Sequence, residues 1–361
     1  MTNKVAILGD THFSFKGEEY HEYMNKFFKE VFFPYLDKHQ ISDVIQLGDL
    51  FDKHNTIELD SLNFFYEKFI APMNDMDIGL WCFPGNHDIS RKNSVEINAP
   101  TLLLVASQIN DLGLVTKSPV ACVINNSVIA LVPWICKDNR DDIMKFLNTI
   151  DNKKDVYVFG HFELGGFPMS KQTLSKDDGK DESLKQVLKG FKHVYSGHYH
   201  TKSTKGNITY VGTPYELTWA DCDDPKGFHI LDLDTGELEF IVNPYSMYQK
   251  LTYGEAINPK LNCHTRLYVK EQPDQKKLDK YIQSLTDDFG AKTVTVVQDF
   301  TVVAVEGEES IQVIDEDGGY VVENTNQILE KYVDENPVLG VDSISLKNHL
   351  NHLYTKALQE E

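Results

Sequence analysis

Short apolar runs, each followed closely by a Gly and a polar residue, set the rhythm of the first half of the chain. Val5 to Leu8 runs into Gly9-Asp10, Val44 to Leu47 into Gly48-Asp49, and Leu80 to Phe83 precedes Gly85-Asn86. Val156 to Phe159 runs into Gly160-His161, and His193 to Tyr195 precedes Gly197-His198. Such brief runs bounded by turn signals predict buried strands. Between the first of them, residues 18 to 38 place Met24, Phe27, Phe28, Val31, Phe32 and Tyr35 at helical spacing, and a second helical stretch covers about 58 to 70. Strand, helix, strand, helix, strand predicts a largely parallel core.

Downstream the pattern shifts to hairpins. Asn125-Asn126 separates Ala121 to Ile124 from Val128 to Val132, and Asp234-Thr235-Gly236 separates His229 to Leu233 from Leu238 to Val242. With a strand near Ile208 to Val211, these suggest the second sheet of a sandwich covered by helices. Lys176 to Glu182, charged and containing a Gly, reads as a surface loop. Near residue 245 the pattern changes again. Thr265 to Val269, a helical stretch from about 274 to 288, Thr293 to Val297 and Thr301 to Val305 make a small α+β unit.

The domains expected are therefore 1–245, a cap over 246–305, an acidic linker over 306–320 and a helical segment over 321–361. That last segment has two short amphipathic stretches, one with Ile328, Leu329, Tyr332 and Val333, the other with Leu346, Leu350, Leu353, Tyr354 and Ala357. Two short helices beyond a polar linker cannot bury their apolar faces alone, so they dock on another chain or fold back on their own.

The polar residues that close the strands carry the chemistry. Asp10 and His12 lie two apart, as do His198 and His200. In extended backbone residues i and i+2 share a face, so each pair can converge on one ion. Together with Asp49, Asn86 and His161 they form the ligand set of a two-metal phosphoesterase, gathered along one rim of a sheet. Hard oxygens mixed with imidazole suit Mn2+ best, with Mg2+, Fe2+ or Zn2+ as alternatives. His21, His39, His54, His193, His229, His264, His349 and His352 lack ligand spacing and read as surface or core residues.

The order Asp-x-His, Gly-Asp-x-x-Asp, Gly-Asn-His-Asp, Gly-His, Gly-His-x-His resembles the calcineurin-like metallophosphoesterases, and more closely their SbcD and Mre-eleven nuclease branch, phage members in particular. The resemblance continues through Leu131-Val-Pro-Trp134, Gly160-His-Phe-Glu-Leu-Gly-Gly-Phe167, Tyr195-Ser-Gly-His-Tyr-His-Thr201, Gly212-Thr-Pro214 and Asp224-Pro-Lys-Gly-Phe228, and it fades after about residue 245. It implies a four-layer αββα sandwich with a small α+β cap and a C-terminal helical tail. It implies one ion on Asp10, His12 and His200, a second on Asn86, His161 and His198, and Asp49 bridging them. It also implies His87 as the acid or transition-state stabiliser, and a contact from Asp52 to His87 that favours imidazolium. Capping is the alternative for Asp52. Glu163 is read as orienting a ligand His or capping a turn.

The implied activity is that of a DNA nuclease, 3' to 5' on duplex ends and endonucleolytic on single strands or hairpins. Implied partners are DNA, a coiled-coil ATPase of the SbcC or Rad-fifty kind held by the C-terminal helices, and a second copy meeting helices 18–38 and 58–70, unless those faces are core. Two other classes stay open: a phosphatase or small-molecule phosphodiesterase, and a noncatalytic scaffold. Lys53 and Asp88 stand where phosphoprotein phosphatases of the superfamily carry Arg and Glu, which counts against that reading, and every expected ligand position is filled, which counts against a scaffold.

Charge complicates the DNA reading. The chain has 361 residues with 55 Asp and Glu against 35 Lys and Arg, a net charge of -20. Residues 306–361 hold 13 acids and 3 Lys, hence -10, half of the excess. This sign opposes phosphate neutralisation, so weak DNA binding supplemented by a partner is expected, with solubility as the plainer account. Five scattered Cys without a C-x-x-C pair predict free thiols. No apolar stretch is long enough to span a bilayer and no signal peptide is visible, so an intracellular protein is expected, in the host's cytoplasm if a phage encodes it.

Overall fold

The computed structural model describes residues 3–14, 16–104, 113–171, 173–256, 258–271 and 273–298; beyond 310 it describes 311–314, 320–323, 333, 346–347 and 350. The chain divides into two compact units that interleave in sequence. The first comprises 1–251, 256–266 and 282–294, the second 252–255, 267–281 and 295–361.

Two six-stranded sheets build the first unit. One runs Leu238–Val242, Gly227–Asp232, Lys4–Leu8, Asp43–Gln46, Gly79–Cys82, Leu114–Val115. Its last four strands are parallel, as the alternation predicts, and Gly227–Asp232 is antiparallel to Lys4–Leu8. The other runs Ser203–Lys205, Ile208–Tyr210, His193–Gly197, Tyr157–His161, Ser127–Val132, Val120–Ile124.

Alternation along the first strand assigns the layers. Val5 and Ile7 face the second sheet, in a buried cluster with Ile129, Leu131, Phe159 and Tyr195. Ala6 and Leu8 point the other way, into a cluster with Phe27, Phe28, Phe32, Phe65 and Phe69 from the helices. On the far side of the second sheet Val158 and Val194 pack with Ile143, Leu147, Leu184 and Leu188. The result is the αββα sandwich.

The two early helices arise where the spacing predicts them, but each contains a widened turn. Glu18–Phe27 passes through Phe28–Phe32 into Phe33–His39, with the Phe33 N–H reaching back five residues to Phe28. Leu59–Phe65 passes through Tyr66–Ile70 into Ala71–Asp75, with Ala71 bonded to Tyr66. Pro34 and Pro72 follow directly. A Pro has no N–H to donate and its ring crowds the carbonyl four residues back, which the wider turn relieves. Much of the apolar face of both helices is core, while Leu59 stays exposed.

One expectation is corrected, and two further pairings lie outside what the pattern predicted. The hairpin around Asp234-Thr235-Gly236 forms, but it extends the first sheet beside Lys4–Leu8 instead of entering the second. Within the stretch read as an acidic linker, Ile311–Ile314 is a strand paired antiparallel with Tyr320–Glu323. A short hairpin of Ile89–Arg91 and Ser94–Asn98, not anticipated, follows the Gly-Asn-His-Asp segment.

The hairpin at Asn125-Asn126 forms as expected, both Asn having positive φ. Tyr248–Thr252, His264–Val269 and Thr293–Gln298 form a three-stranded sheet in that order, and Gln275–Asp287 is helical. The strand expected over 301–305 lies outside the described residues. So does most of the helical segment, of which Val333, Leu346, Lys347 and Leu350 are helical. Among the described residues no helix is long and apolar enough to cross a membrane.

Candidate metal centre

Parallel strands end together, so the polar residues that follow them meet at one rim. Asp10, Asp49 and Asn86 follow successive strands of the first sheet, while His161 and His198 close neighbouring strands of the second. The approach is tight. A Cβ on Gly197 would stand 2.5 Å from Asp10 Oδ1 and 2.6 Å from the Leu47 carbonyl, so only Gly fits there.

The ligand atoms of Asp10, His12 and His200 all lie within 4.8 Å of one another, and so do those of Asp49, His161 and His198. Asn86 Oδ1 is 2.9 Å from His161 Nε2 and 2.8 Å from His198 Nδ1. Asp49 Oδ2 stands 3.4 Å from His161 Nε2 and 3.8 Å from His12 Nε2, facing both groups. His198 and His200 thus belong to different groups, against the two-residue argument. That argument presumes extended backbone, whereas the strand stops at Gly197 and His198 has φ 89°.

His12 and Asp49 share this left-handed backbone, with φ 43° and 52°. Each such residue costs about 1–3 kcal/mol and persists only when its surroundings hold it. Here the His12 N–H donates to the Asp49 carbonyl (3.0 Å) and the His198 N–H to the Asp10 carboxylate (2.9 Å).

Electrostatics fit the residues to divalent cations. Asp10, His12, Asp49 and His161 are all buried. Burial pushes the Asp10 carboxyl up to about 7, with His161 opposing. Burial raises Asp49 too, yet His161 and His12 hold it far below the usual carboxylate range. His161 rises to about 9 because Asp49 and Asp10 outweigh its burial, while burial and then His161 take His198 down to about 3. Neither ring nitrogen of the buried His12 has a hydrogen-bond partner among the described residues. Such an orphan needs an explanation, and a cation supplies one. The His161 Nδ1–H donates to the Leu47 carbonyl (2.7 Å), so Nε2 is the nitrogen turned toward the cluster, where an ion would take the place of its proton, the usual orientation of a ligating imidazole.

His87 sits beside the first group, its ring edge-on to His12 at 4.8 Å. The expected contact with Asp52 forms through the main chain: His87 Nδ1 is 2.6 Å from the Asp52 carbonyl. A carbonyl only accepts, so Nδ1–H donates to it and Nε2 is the nitrogen left to meet other partners. The Asp52 carboxylate is directed to His12 Nδ1 (3.4 Å) and Lys16 (3.9 Å) instead. Glu163 does not orient His161, both of whose nitrogens are otherwise engaged; it lines a cleft of about 340 Å3 with Trp134, Arg140 and Tyr199.

Some contributors carry no ligand spacing. Asp88 accepts the N–H groups of Leu50, Phe51 and Gly85, joining the loops that carry Asp49 and Asn86. His54, read only as a surface or core residue, is exposed but stacks on His87 at 4.7 Å. Trp134 covers His161 and His198 at 5.8 and 5.3 Å. The only sequence signal for Asp88 and Trp134 was their place within recurring motifs, and His54 had none.

Residues 3–202 match the family described as calcineurin-like phosphoesterase. The chain is 29% identical over 370 residues to exonuclease subunit 1 of Enterobacteria phage T4, covering 99% of this chain and 100% of that one. It is 25% identical over 203 residues to the DNA double-strand break repair protein Mre11 of Nanoarchaeum equitans, covering 51% of this chain and 53% of that one. A putative phosphoesterase of Invertebrate iridescent virus 3 is 26% identical over 215 residues, covering 58% of each chain.

Proposed function

This chain belongs to the calcineurin-like phosphoesterases, and from that premise we propose that it is a two-metal DNA nuclease, the catalytic subunit of an ATP-dependent complex for DNA recombination, repair and replication. The observation that carries the two-ion reading is the placement of Asp49 Oδ2 facing both histidine groups. DNA as substrate is supported by full-length similarity to an exonuclease subunit.

In this reading Asp10, His12 and His200 hold one divalent ion, Asn86, His161 and His198 the other, and Asp49 both. Mn2+ suits this mixture of oxygen and imidazole ligands. When bound, the two ions supply Lewis acidity, activating water and neutralising charge on the phosphoryl oxygens. The chain's own residues do the rest. Asp10 and Asp49 bring negative charge that fixes where cations sit. Trp134 limits water around His161 and His198. His87, with Nδ1 committed to the Asp52 carbonyl, holds at Nε2 the proton that the departing sugar oxygen takes.

A net charge of -20 leaves little for phosphate neutralisation, so the chain draws DNA affinity from a partner, a coiled-coil ATPase held by its C-terminal segment. It acts as a homodimer, cleaves 3' to 5' on duplex ends, and works in the cytoplasm, that of the host bacterium if a phage encodes it. Residues 1–245 form the nuclease domain and 246–305 its cap.

The test is Mn2+-dependent cleavage of end-labelled duplex DNA by wild type and His87→Ala, with and without the ATPase. Cleavage that the partner and ATP stimulate and the variant lacks is the expected result. A wild type inert on DNA yet active on bis-p-nitrophenyl phosphate would keep the metal centre and overturn the DNA assignment.

A further inference from the structure

The Asp10, His12 and His200 group draws on both sheets. Asp10 and His12 follow a strand of the first, and His200 lies beyond a strand of the second. Something must hold the His200 turn against the other sheet, and the Asp224-Pro-Lys-Gly-Phe228 segment, so far without a role, does this. Lys226 precedes Gly227–Asp232 of the first sheet, and its main-chain carbonyl is paired with the N–H of Asn243 (2.8 Å). Its side chain is buried, and the ammonium makes three contacts: the His200 carbonyl at 2.8 Å, Asp224 Oδ2 at 2.9 Å and Asp221 Oδ1 at 2.7 Å.

An ammonium has three N–H donors, and these contacts use them all. The same Asp224 oxygen accepts the Thr201 hydroxyl (3.2 Å), fixing the residue after His200. Asp221 is itself anchored, accepting the N–H groups of Leu217 and Thr218 at 3.1 and 2.9 Å. The His200 carbonyl also accepts the Thr213 N–H (3.2 Å), whose own carbonyl accepts from Gly227 (3.3 Å). His198 needs no such tie, because its N–H is bonded directly to Asp10.

We propose that Lys226 is a positioning residue that sets His200 for the ion of Asp10 and His12, by clamping the His200 main chain to the first sheet. This rests on the two-ion reading above. A buried cation is retained only where it is fully paired, and neutralising it leaves Asp221 and Asp224 unbalanced and the turn untied. The consequence is selective: the ion of this group loosens, while that of Asn86, His161 and His198 keeps its ligands.

The test measures Mn2+ binding without DNA, by calorimetry and electron paramagnetic resonance, on wild type, Lys226→Met and Lys226→Arg. Lys226→Met combined with Asp224→Asn removes a cation and an anion together and guards against a variant that fails to fold. Wild type is expected to bind two ions with a spin-coupled spectrum. Lys226→Met should keep one tight ion and bind the other about 10–100-fold more weakly, the usual effect of losing a residue behind a ligand. Its spectrum should become that of isolated Mn2+, and Lys226→Arg should restore coupling. A folded Lys226→Met with two ions at unchanged affinity overturns the proposal, as does equal weakening of both ions, which marks mere destabilisation. A wild type that binds no Mn2+ instead overturns the two-ion reading, and the proposal with it.

Discussion

Replacing Gly85 by Ala tests how closely the rim is built. A Cβ there would stand 2.2 Å from Asp49 Oδ1 and 2.4 Å from the Asp49 N, where ordinary contact begins at 3.4 Å. The carboxylate that faces both histidine groups must therefore retreat by about 1 Å, and a shift of that size costs roughly 100-fold in rate, about 3 kcal/mol of transition-state stabilisation. Asp49 Oδ1 also accepts the His87 N–H at 2.7 Å, so the same retreat pulls on His87. The assay is Mn2+-saturated hydrolysis of bis-p-nitrophenyl phosphate with metal content measured in parallel. Gly190→Ala is the control, since its Cβ comes no closer than 3.3 Å to its neighbours. A Gly85→Ala protein with wild-type turnover and two ions would show that Asp49 is not held as tightly as these distances require.

Turnover should fall by roughly 10²–10⁴ in His87→Ala with metal content unchanged. Asp52→Ala should lose less, since the His87 partner is a carbonyl that the substitution keeps; equal losses in a kinetic comparison would restore the carboxylate dyad. His229 is buried against Phe240, and burial, then Lys202, lowers its pKa to about 3 from 6.5. The folded state therefore binds fewer protons than the unfolded state between those values, and stability is lost as pH falls through that window. His229→Phe should flatten this slope in chemical denaturation at stepped pH, and an unchanged slope would refute it. Mn2+ at about 100 times its dissociation constant should add about 2.7 kcal/mol of stability for each site, raising Tm in a calorimetric scan. A Tm indifferent to Mn2+ and to EDTA would remove the resident-ion reading.

Much of the fold was legible because its signals are local. The strand Lys4–Leu8 and the helix Glu18–Phe27 follow from the period of apolar residues, and the turn at Asn125-Asn126 follows from the tolerance of Asn for positive φ. Sheet membership was less legible. Gly227–Asp232 has a free choice of neighbour as far as its own residues go, and its pairing with Lys4–Leu8 is settled by partners more than 200 positions away. The widened turns ahead of Pro34 and Pro72 were hidden for a related reason, since helical spacing survives them.

At the candidate metal centre the sequence named the side chains that the structure then brings together: Asp10, His12, Asp49, Asn86, His87, His161, His198 and His200 stand at or just beyond strand ends, where backbone polarity and Gly make room for ligands. Spacing alone did not divide them, and only the tertiary structure decided what holds them. It separates His198 from His200, gives His87 a carbonyl partner instead of the Asp52 carboxylate, and brings Asp88 and Lys226 behind the loops. The physical reason is that residue type and spacing fix what a side chain can donate or accept, whereas its actual partner depends on left-handed turns and on the meeting of two sheets, which local spacing does not encode.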